Sequence, residues 1–306
     1  MMEKLIMRGV DSMSTTGGLV ILSEMLPLLP PSERKIAAYI IENPKESISL
    51  TAMELGKRSS TSGAAVIRLC KSLNLKGFQD LKIRIAGDLQ KTGDVGYRDI
   101  EPNEPPKLVI DKMTNNTIQT IRETAELLDV DELEKAVAAL QKSRRTHFIG
   151  VGASSIIAQD AQQKFLRINK DAYAFSDIHM AATQVANADE SDVVIGISFS
   201  GETTEVANIL QLARQNNATT ISLTKYGNSI VTDNADINLY TSATREPTFR
   251  SGATSSRIAQ LQVIDILFMC VASLQYDETV KHLNATKEAV DFIGSNKQKI
   301  ISKMSF

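Results

Sequence analysis

Val193-Val194-Ile195-Gly196-Ile197-Ser198-Phe199-Ser200-Gly201-Glu202-Thr203 is the stretch that decides the fold. Its first five residues form an apolar, β-like run, and residues 205–215 that follow it space their apolar side chains as a helix. A strand that turns through Ser-x-Ser-Gly-x-Thr into a helix gathers three hydroxyls around the unpaired N–H groups of the first helical turn. That combination is a socket for an anion. Gly201 lets the backbone approach the anion or take a positive φ. A plain helix cap is the alternative, because Ser and Thr favour that position anyway; the crowding of several hydroxyls and a glycine onto one turn favours the anion.

A second strand end repeats the theme in Ile149-Gly150-Val151-Gly152-Ala153-Ser154-Ser155. Ser155 stands where a dinucleotide fingerprint would need its third glycine, so no nicotinamide cofactor is expected. Around these two turns, β-like runs at 145–151, 172–175, 192–197, 219–223 and 237–241 alternate with helical runs at 154–168, 178–188 and 205–217. Alternation of this kind predicts a parallel sheet covered by helices on both faces, with ligands at the carboxyl ends of its strands.

With 306 residues the chain has room for two domains. It carries 34 Lys and Arg against 36 Asp and Glu, a net charge of −2, so any nucleic-acid site must be local. Cys70 and Cys270 lie far apart, and the three histidines, His147, His179 and His282, lack metal-ligand spacing. No disulfide framework, metal site or cofactor is expected, and a reduced, cytoplasmic setting fits. The apolar run 258–274 is broken by Gln260, Gln262 and Asp265, which predicts a buried helix and no membrane partner.

Upstream, residues 1–18 show no period and read as a poorly ordered lead, with Met7 or Met13 as alternative starts. Helical spacing begins at Leu19, breaks over Pro27 to Pro31, and resumes with Ser32 as a potential cap. Thr51 can cap a helix over 52–58 and Ser62 a second over 63–73, with Val66, Leu69, Cys70 and Leu73 on one buried face. Two short helices joined by a tight turn match a helix-turn-helix, whose second helix enters the DNA major groove. Gly63, Ala64 and Ala65 would allow close approach, Ser62 could meet bases or phosphate, and Arg68 and Lys71 extend outward. Residues 44–91 hold nine Lys and Arg against four Asp and Glu. A basic block in an otherwise acidic chain is the expected footprint of phosphate-backbone contact.

Residues 92–106 contain Gly93, Gly96, Pro102, Pro105 and Pro106 with acids between them, the composition of a linker. The expected domains are therefore 17–92, all-α and DNA-binding; a linker, 93–114; and 115–295, α/β and ligand-binding. Helices are expected over 115–128 and, capped by Asp131, up to residue 142.

The run 61–82, with Arg68-Leu69-Cys70 and Leu73-Asn74-Leu75-Lys76-Gly77-Phe78, resembles the DNA-binding domain of the RpiR family of bacterial transcriptional regulators. It departs from the family pattern at Leu69, Asn74 and Leu75, positions that pack or turn. The two glycine-hydroxyl turns resemble the SIS (sugar isomerase) domain, which binds phosphosugars. The resemblance implies a three-layer α/β SIS domain with a parallel five-stranded sheet. Its phosphate would be held by Ser154 or Ser155, by Ser198, Ser200 and Thr203, and by N–H groups of Phe199 and Gly201. On the DNA side it implies Thr51, Ser62, Gly63, Ala64, Ala65, Arg68, Lys71 and Lys76.

Within the family, residues 160–164, 251–257 and 259–261 look closest to regulators of the MurR kind, which respond to N-acetylmuramic acid 6-phosphate. There Ser256 and Arg257 could reach the sugar or its carboxylate. The implied function is a DNA-binding regulator, a repressor of amino-sugar or carbohydrate catabolism genes. It would act as a homodimer or homotetramer on double-stranded operator DNA, with a phosphosugar effector. A phosphosugar isomerase or lyase is the alternative, and a ligand-binding module that never touches DNA is a third. Glu202, Glu205 and His179 are the candidate bases for turnover; none has an evident partner in the sequence, so binding without turnover is expected.

Overall fold

The computed structural model describes residues 17–89, 100–243 and 253–303. The expectations for residues 1–16, for the linker over 93–99 and for Ser251 lie outside them. Six helices form the N-terminal part: α1 (Gly18–Met25), α2 (Pro31–Glu42), α3 (Pro44–Ser47), α4 (Ala52–Arg58), α5 (Gly63–Ser72) and α6 (Phe78–Leu89). Gly17 and Gly18, read from sequence as the end of a lead, instead open α1. The N–H of Gly17 donates to Asp88 Oδ1 at 2.6 Å and that of Leu19 to Asp88 Oδ2 at 2.8 Å, so α6 caps α1 across 71 residues of chain. Helix α2 begins at Pro31, one residue before the expected Ser32 cap, because proline's fixed φ suits the first helical position. Ile21, Leu22, Ile36, Ile40, Leu55, Val66, Leu69, Leu73, Leu81 and Ile85 close one core.

Helix α7 (Pro106–Leu127) starts inside the stretch expected to be linker, again with proline at its first turn. Helix α8 (Val130–Lys142) is capped by Asp129, which accepts from the N–H groups of Asp131 and Glu132; Asp131 itself sits in the first turn. There follow β1 (Arg145–Gly150), α9 (Ala153–Arg167), β2 (Asp171–Ala174), α10 (Ile178–Val185), β3 (Asp192–Ile197), α11 (Thr204–Gln215), β4 (Thr219–Lys225), β5 (Ile237–Thr241), α12 (Ser255–Leu274) and α13 (Tyr276–Lys303).

The sheet order is β2-β1-β3-β4-β5, and every pairing is parallel. All six residues of β3 are buried, as an apolar central strand requires. Phe148, Ile195, Ile197 and Leu223 pack on one face against α8, α9 and α12. Ile149 and Val194 pack on the other against α10 and α11. The chain thus leaves β1 toward one face and β3 toward the other, which opens a crevice between their carboxyl ends. At the opposite ends, buried Asp192 accepts from Arg145 at 2.6 Å and ties the two strands together. Helix α12 is apolar and long enough to cross a membrane, but Ala259, Val263, Ile264, Leu267 and Val271 are buried in the core.

Candidate functional site

Two regions carry the residues singled out in the sequence, and the first is the α4–α5 pair. Thr51 opens α4 with a reciprocal cap: its N–H donates to Glu54 Oε2 at 2.7 Å, and its hydroxyl accepts from the Glu54 N–H at 3.3 Å. These contacts hold the Glu54 carboxyl below the usual range, the Thr51 N–H contributing most and its hydroxyl next. Ser62 caps α5 through the N–H of Ala65 at 3.3 Å.

Residues 65, 66, 69, 70 and 73 form the buried stripe of α5. Ala65, 1 % exposed, lies on that stripe and cannot meet a base edge, which corrects the expectation for it. The register of the helix decides this: small residues at 63, 64 and 65 point in three different directions. A Cβ on Gly63 would stand 3.2 Å from Met53 Cα, so this glycine serves the close packing of α5 on α4. The outer face presents Ser62, Ala64, Ile67, Arg68 and Lys71, with Lys76 exposed just beyond. Ile67, 45 % exposed in the middle of that face, was not singled out in the sequence.

Much of the basic block is engaged within the domain. Arg58 pairs with Glu46 at 2.8 Å and Arg84 with Asp80 at 2.9 Å, while Lys82 donates to the Leu50 carbonyl at 3.2 Å. Arg68 lies 3.9 Å from buried Glu33, a long contact for a side chain still 56 % exposed. Lys57, Lys71 and Lys76 are exposed.

The second region is the crevice. Gly150 and Ile197, the last residues of β1 and β3, are register partners, so both glycine-hydroxyl turns rise from adjacent strands. Gly152 turns into α9 with φ 60°, and Gly201 turns toward α11 with φ 75°. Among the described residues side chains cap α4, α5, α8 and α10, whereas α9 and α11, like α2, α3, α7 and α12, have no side-chain cap. Both helix starts point at the crevice, and at α9 the Ser154 and Ser155 N–H groups donate to the Val151 and Gly152 carbonyls at 3.2 and 3.1 Å.

The hydroxyls differ in what they do. Ser198 is 2 % exposed; its Oγ lies 2.8 Å from Thr203 Oγ1 and accepts from the Gly201 N–H at 3.2 Å, bracing the turn. Ser200 Oγ accepts from the Glu202 N–H at 3.1 Å. Ser155 Oγ donates back to the Gly152 carbonyl at 2.7 Å. Ser154, 8 % exposed, approaches the Gln260 amide at 3.4 Å. Gln260, buried on α12, was missed as a site residue because only the fold brings it across 106 residues to Ser154. Ser256 lies one turn earlier on the same face and is buried, whereas Arg257 Nε folds back onto the Ala253 carbonyl at 2.5 Å. Glu202, Glu205 and His179 are exposed, and the Asp177 carboxylate beside His179 accepts from backbone N–H groups of α10. Among the described residues, no group of His, Cys, Asp and Glu is arranged to hold a metal.

A basic helix-turn-helix joined to a parallel α/β domain is the architecture of a DNA-binding regulator. Residues 16–92 match the model of the helix-turn-helix domain, rpiR family, and residues 139–270 match that of the SIS domain. The chain is similar to the HTH-type transcriptional regulator YbbH of Bacillus subtilis, 51 % identical over 275 residues, which are 90 % of this chain and 97 % of that one. It is also similar to HexR of Pseudomonas aeruginosa, 31 % identical over 265 residues, covering 86 % of this chain and 91 % of the relative. Among solved structures it resembles Vibrio vulnificus NanR complexed with ManNAc-6P, with a TM-score of 0.57 and 28 % identity, covering 90 % of this chain and 98 % of that one. The chain belongs to the RpiR family of transcriptional regulators, with a helix-turn-helix domain and a SIS domain.

Proposed function

We propose that this regulator is a repressor of amino-sugar catabolism genes that releases its operator when a phosphosugar fills the crevice. The observation that carries this reading is the pair of helix N-termini, on α9 and α11, that open on one crevice without side-chain caps. A phosphate monoester offers such helix starts negative charge and acceptor oxygens along the helix dipole. The hydroxyls of Ser154 or Ser155, Ser200 and Thr203 and the N–H groups of Phe199 and Gly201 hold it, the Gly201 N–H exchanging its bond to Ser198 Oγ for one to the phosphate. Ser198 keeps the turn in shape. Ser256 and Gln260 face the sugar from α12.

Binding proceeds without turnover in this reading, since Glu202, Glu205 and His179 are all exposed to solvent and lack the buried surroundings that would tune a general base. The effector is an amino-sugar 6-phosphate; the resemblance to MurR-like regulators favours N-acetylmuramic acid 6-phosphate, and the similarity to NanR favours ManNAc-6P. Ser62, Ala64, Arg68 and Lys71 face the operator from α5, with Thr51 and Lys76 at the phosphate backbone. Two copies present paired reading helices to half-sites about one helical turn apart. Exposed apolar side chains on α7 (Leu108, Ile110) and α13 (Val290, Phe292) give a second copy surface to cover.

The test is a titration of the full-length protein with DNA from upstream of its own gene. It is repeated with N-acetylmuramic acid 6-phosphate, with ManNAc-6P and with glucosamine 6-phosphate. Weakening by one sugar phosphate supports the reading. Absence of DNA binding, or isomerisation of a phosphosugar by the protein, overturns it.

A further inference from the structure

The connection from β4 to β5 touches both functional regions within one chain. On one side it is bonded to the hydroxyl turn: the Lys225 N–H donates to the Phe199 carbonyl at 2.9 Å and the Val231 N–H to the Gly201 carbonyl at 3.1 Å. Here there is no slack, because a Cβ on Gly201 would stand 2.3 Å from Ser229 Oγ. On the other side it grips the carboxyl end of α5. The Tyr226 hydroxyl donates to the Leu73 carbonyl at 2.6 Å, and Asn74 Nδ2 donates to Asn228 Oδ1 at 3.1 Å. Between the two ends the segment is cross-braced, the Ser229 N–H donating to Thr232 Oγ1 at 2.8 Å and the Thr232 N–H to Ser229 Oγ at 3.3 Å. Tyr226 is buried, and its ring packs on Tyr240 at 4.9 Å.

We propose that residues 225–232 are a strap that carries the occupancy of the crevice to the reading helix α5. This inference rests on the function proposed above and assigns its regulation. Close-packed elements switch between discrete arrangements instead of deforming gradually. When a phosphate draws in the N–H groups around Gly201, Ser229 and Val231 must follow, and Tyr226 and Asn228 move with them. The N-terminal helices have room to respond: a cavity of about 310 Å³ lies beside the strap, bordered by Asn74, Leu75, Arg84, Asp129, Tyr226 and Asn238. They also have a pivot, since Glu24 on α1 accepts from the Ser242 hydroxyl at 3.0 Å and from the Ala243 N–H. Anchored at α1 and held by the strap at α5, the helix-turn-helix tilts about α1.

The experiment compares the full-length protein with Tyr226→Phe, Asn228→Ala and the double variant. Calorimetry gives the affinity for whichever of the three sugar phosphates acts on the wild type. Fluorescence anisotropy gives operator affinity without and with that sugar at saturation. Effector coupling in proteins spans about 5- to 150-fold. The double variant is expected to reduce the wild-type factor by at least about threefold, with its sugar affinity and its sugar-free operator affinity within about twofold of wild type. An unchanged coupling factor overturns the strap. So does loss of sugar affinity in both single variants, which would make these residues part of the pocket, or loss of sugar-free operator binding in both, which would make them a structural prop. A wild-type protein that ignores all three sugars refutes the proposed function itself, and the strap with it.

Discussion

A Cβ on Gly56 would stand 2.4 Å from the carbonyl carbon of Ser62, closer than any side chain tolerates. Gly56 lies in the last turn of α4, and the turn into α5 folds back directly over it; the Thr61 N–H donates to the Gly56 carbonyl at 2.7 Å. The obstacle is backbone and cannot rotate away. Gly56→Ala is therefore expected to destabilise the N-terminal helices by about 2 kcal/mol or more, in the upper range of overpacking. Operator binding should be lost while sugar-phosphate binding, measured by calorimetry, persists. Wild-type operator affinity in the variant would contradict the assigned turn.

The exposed face of α5 predicts a division of labour. Lys71→Ala should weaken binding to all DNA sequences about equally and lower the slope of log K against log salt by about 0.9, one phosphate contact's worth. Arg68→Ala should cost about 1–3 kcal/mol on the operator and relax the preference at one base pair. Its loss leaves Glu33 still accepting from Ser72 Oγ at 2.7 Å, so the fold survives. Anisotropy titrations on operator and scrambled DNA at several salt concentrations check both.

Gly201 sits at φ 75°, where a side chain costs about 1–2 kcal/mol before any clash with Ser229 is counted. Gly201→Ala should lower sugar-phosphate affinity at least tenfold by calorimetry. Ser200→Ala, which removes a hydroxyl without straining the turn, should have a smaller effect. Equal affinities for wild type and Gly201→Ala would place the phosphate elsewhere.

His147 is 1 % exposed in β1, stacked on Tyr173 at 5.4 Å, and among the described residues neither ring nitrogen has a hydrogen-bond partner. Burial pushes its pKa below the ordinary value, so the folded state binds the proton less readily than the unfolded chain. Its stability contribution is complete above the unfolded-state value, about 6.5, and falls as pH drops below it. His147→Phe should flatten that acid dependence in urea melts between pH 8 and 5. At neutral pH the variant should be at least as stable as wild type, because an unpaired buried polar group is removed. A variant with the wild-type pH profile would assign the acid sensitivity to other groups.

The strand-to-helix turn at 198–203 was legible in the sequence because its parts are contiguous. Strand, hydroxyls, glycine and helix start occupy neighbouring positions, and each part has a local physical cause: apolar burial, hydroxyl bonds to nearby backbone N–H groups, and positive φ. The α4–α5 boundaries were legible for the same reason, since Thr51 and Ser62 cap their own helices. Where several residues could serve locally, the sequence was ambiguous. Asp129 rather than Asp131 caps α8, and Pro106 starts α7 inside a stretch whose prolines and glycines suggested linker.

Tertiary structure decided what depends on direction and on distance across the chain. The register of α5 turned Ala65 inward and Ile67 outward, although both belong to the same small and apolar run. The parallel order β2-β1-β3-β4-β5 set the two glycine turns side by side. Packing brought Gln260 to Ser154 and Asn228 to Asn74, pairs separated by 106 and 154 residues. Local propensity acts over a few residues and can specify a cap or a turn. Contacts between such distant residues exist only once burial of the apolar faces has chosen which surfaces meet.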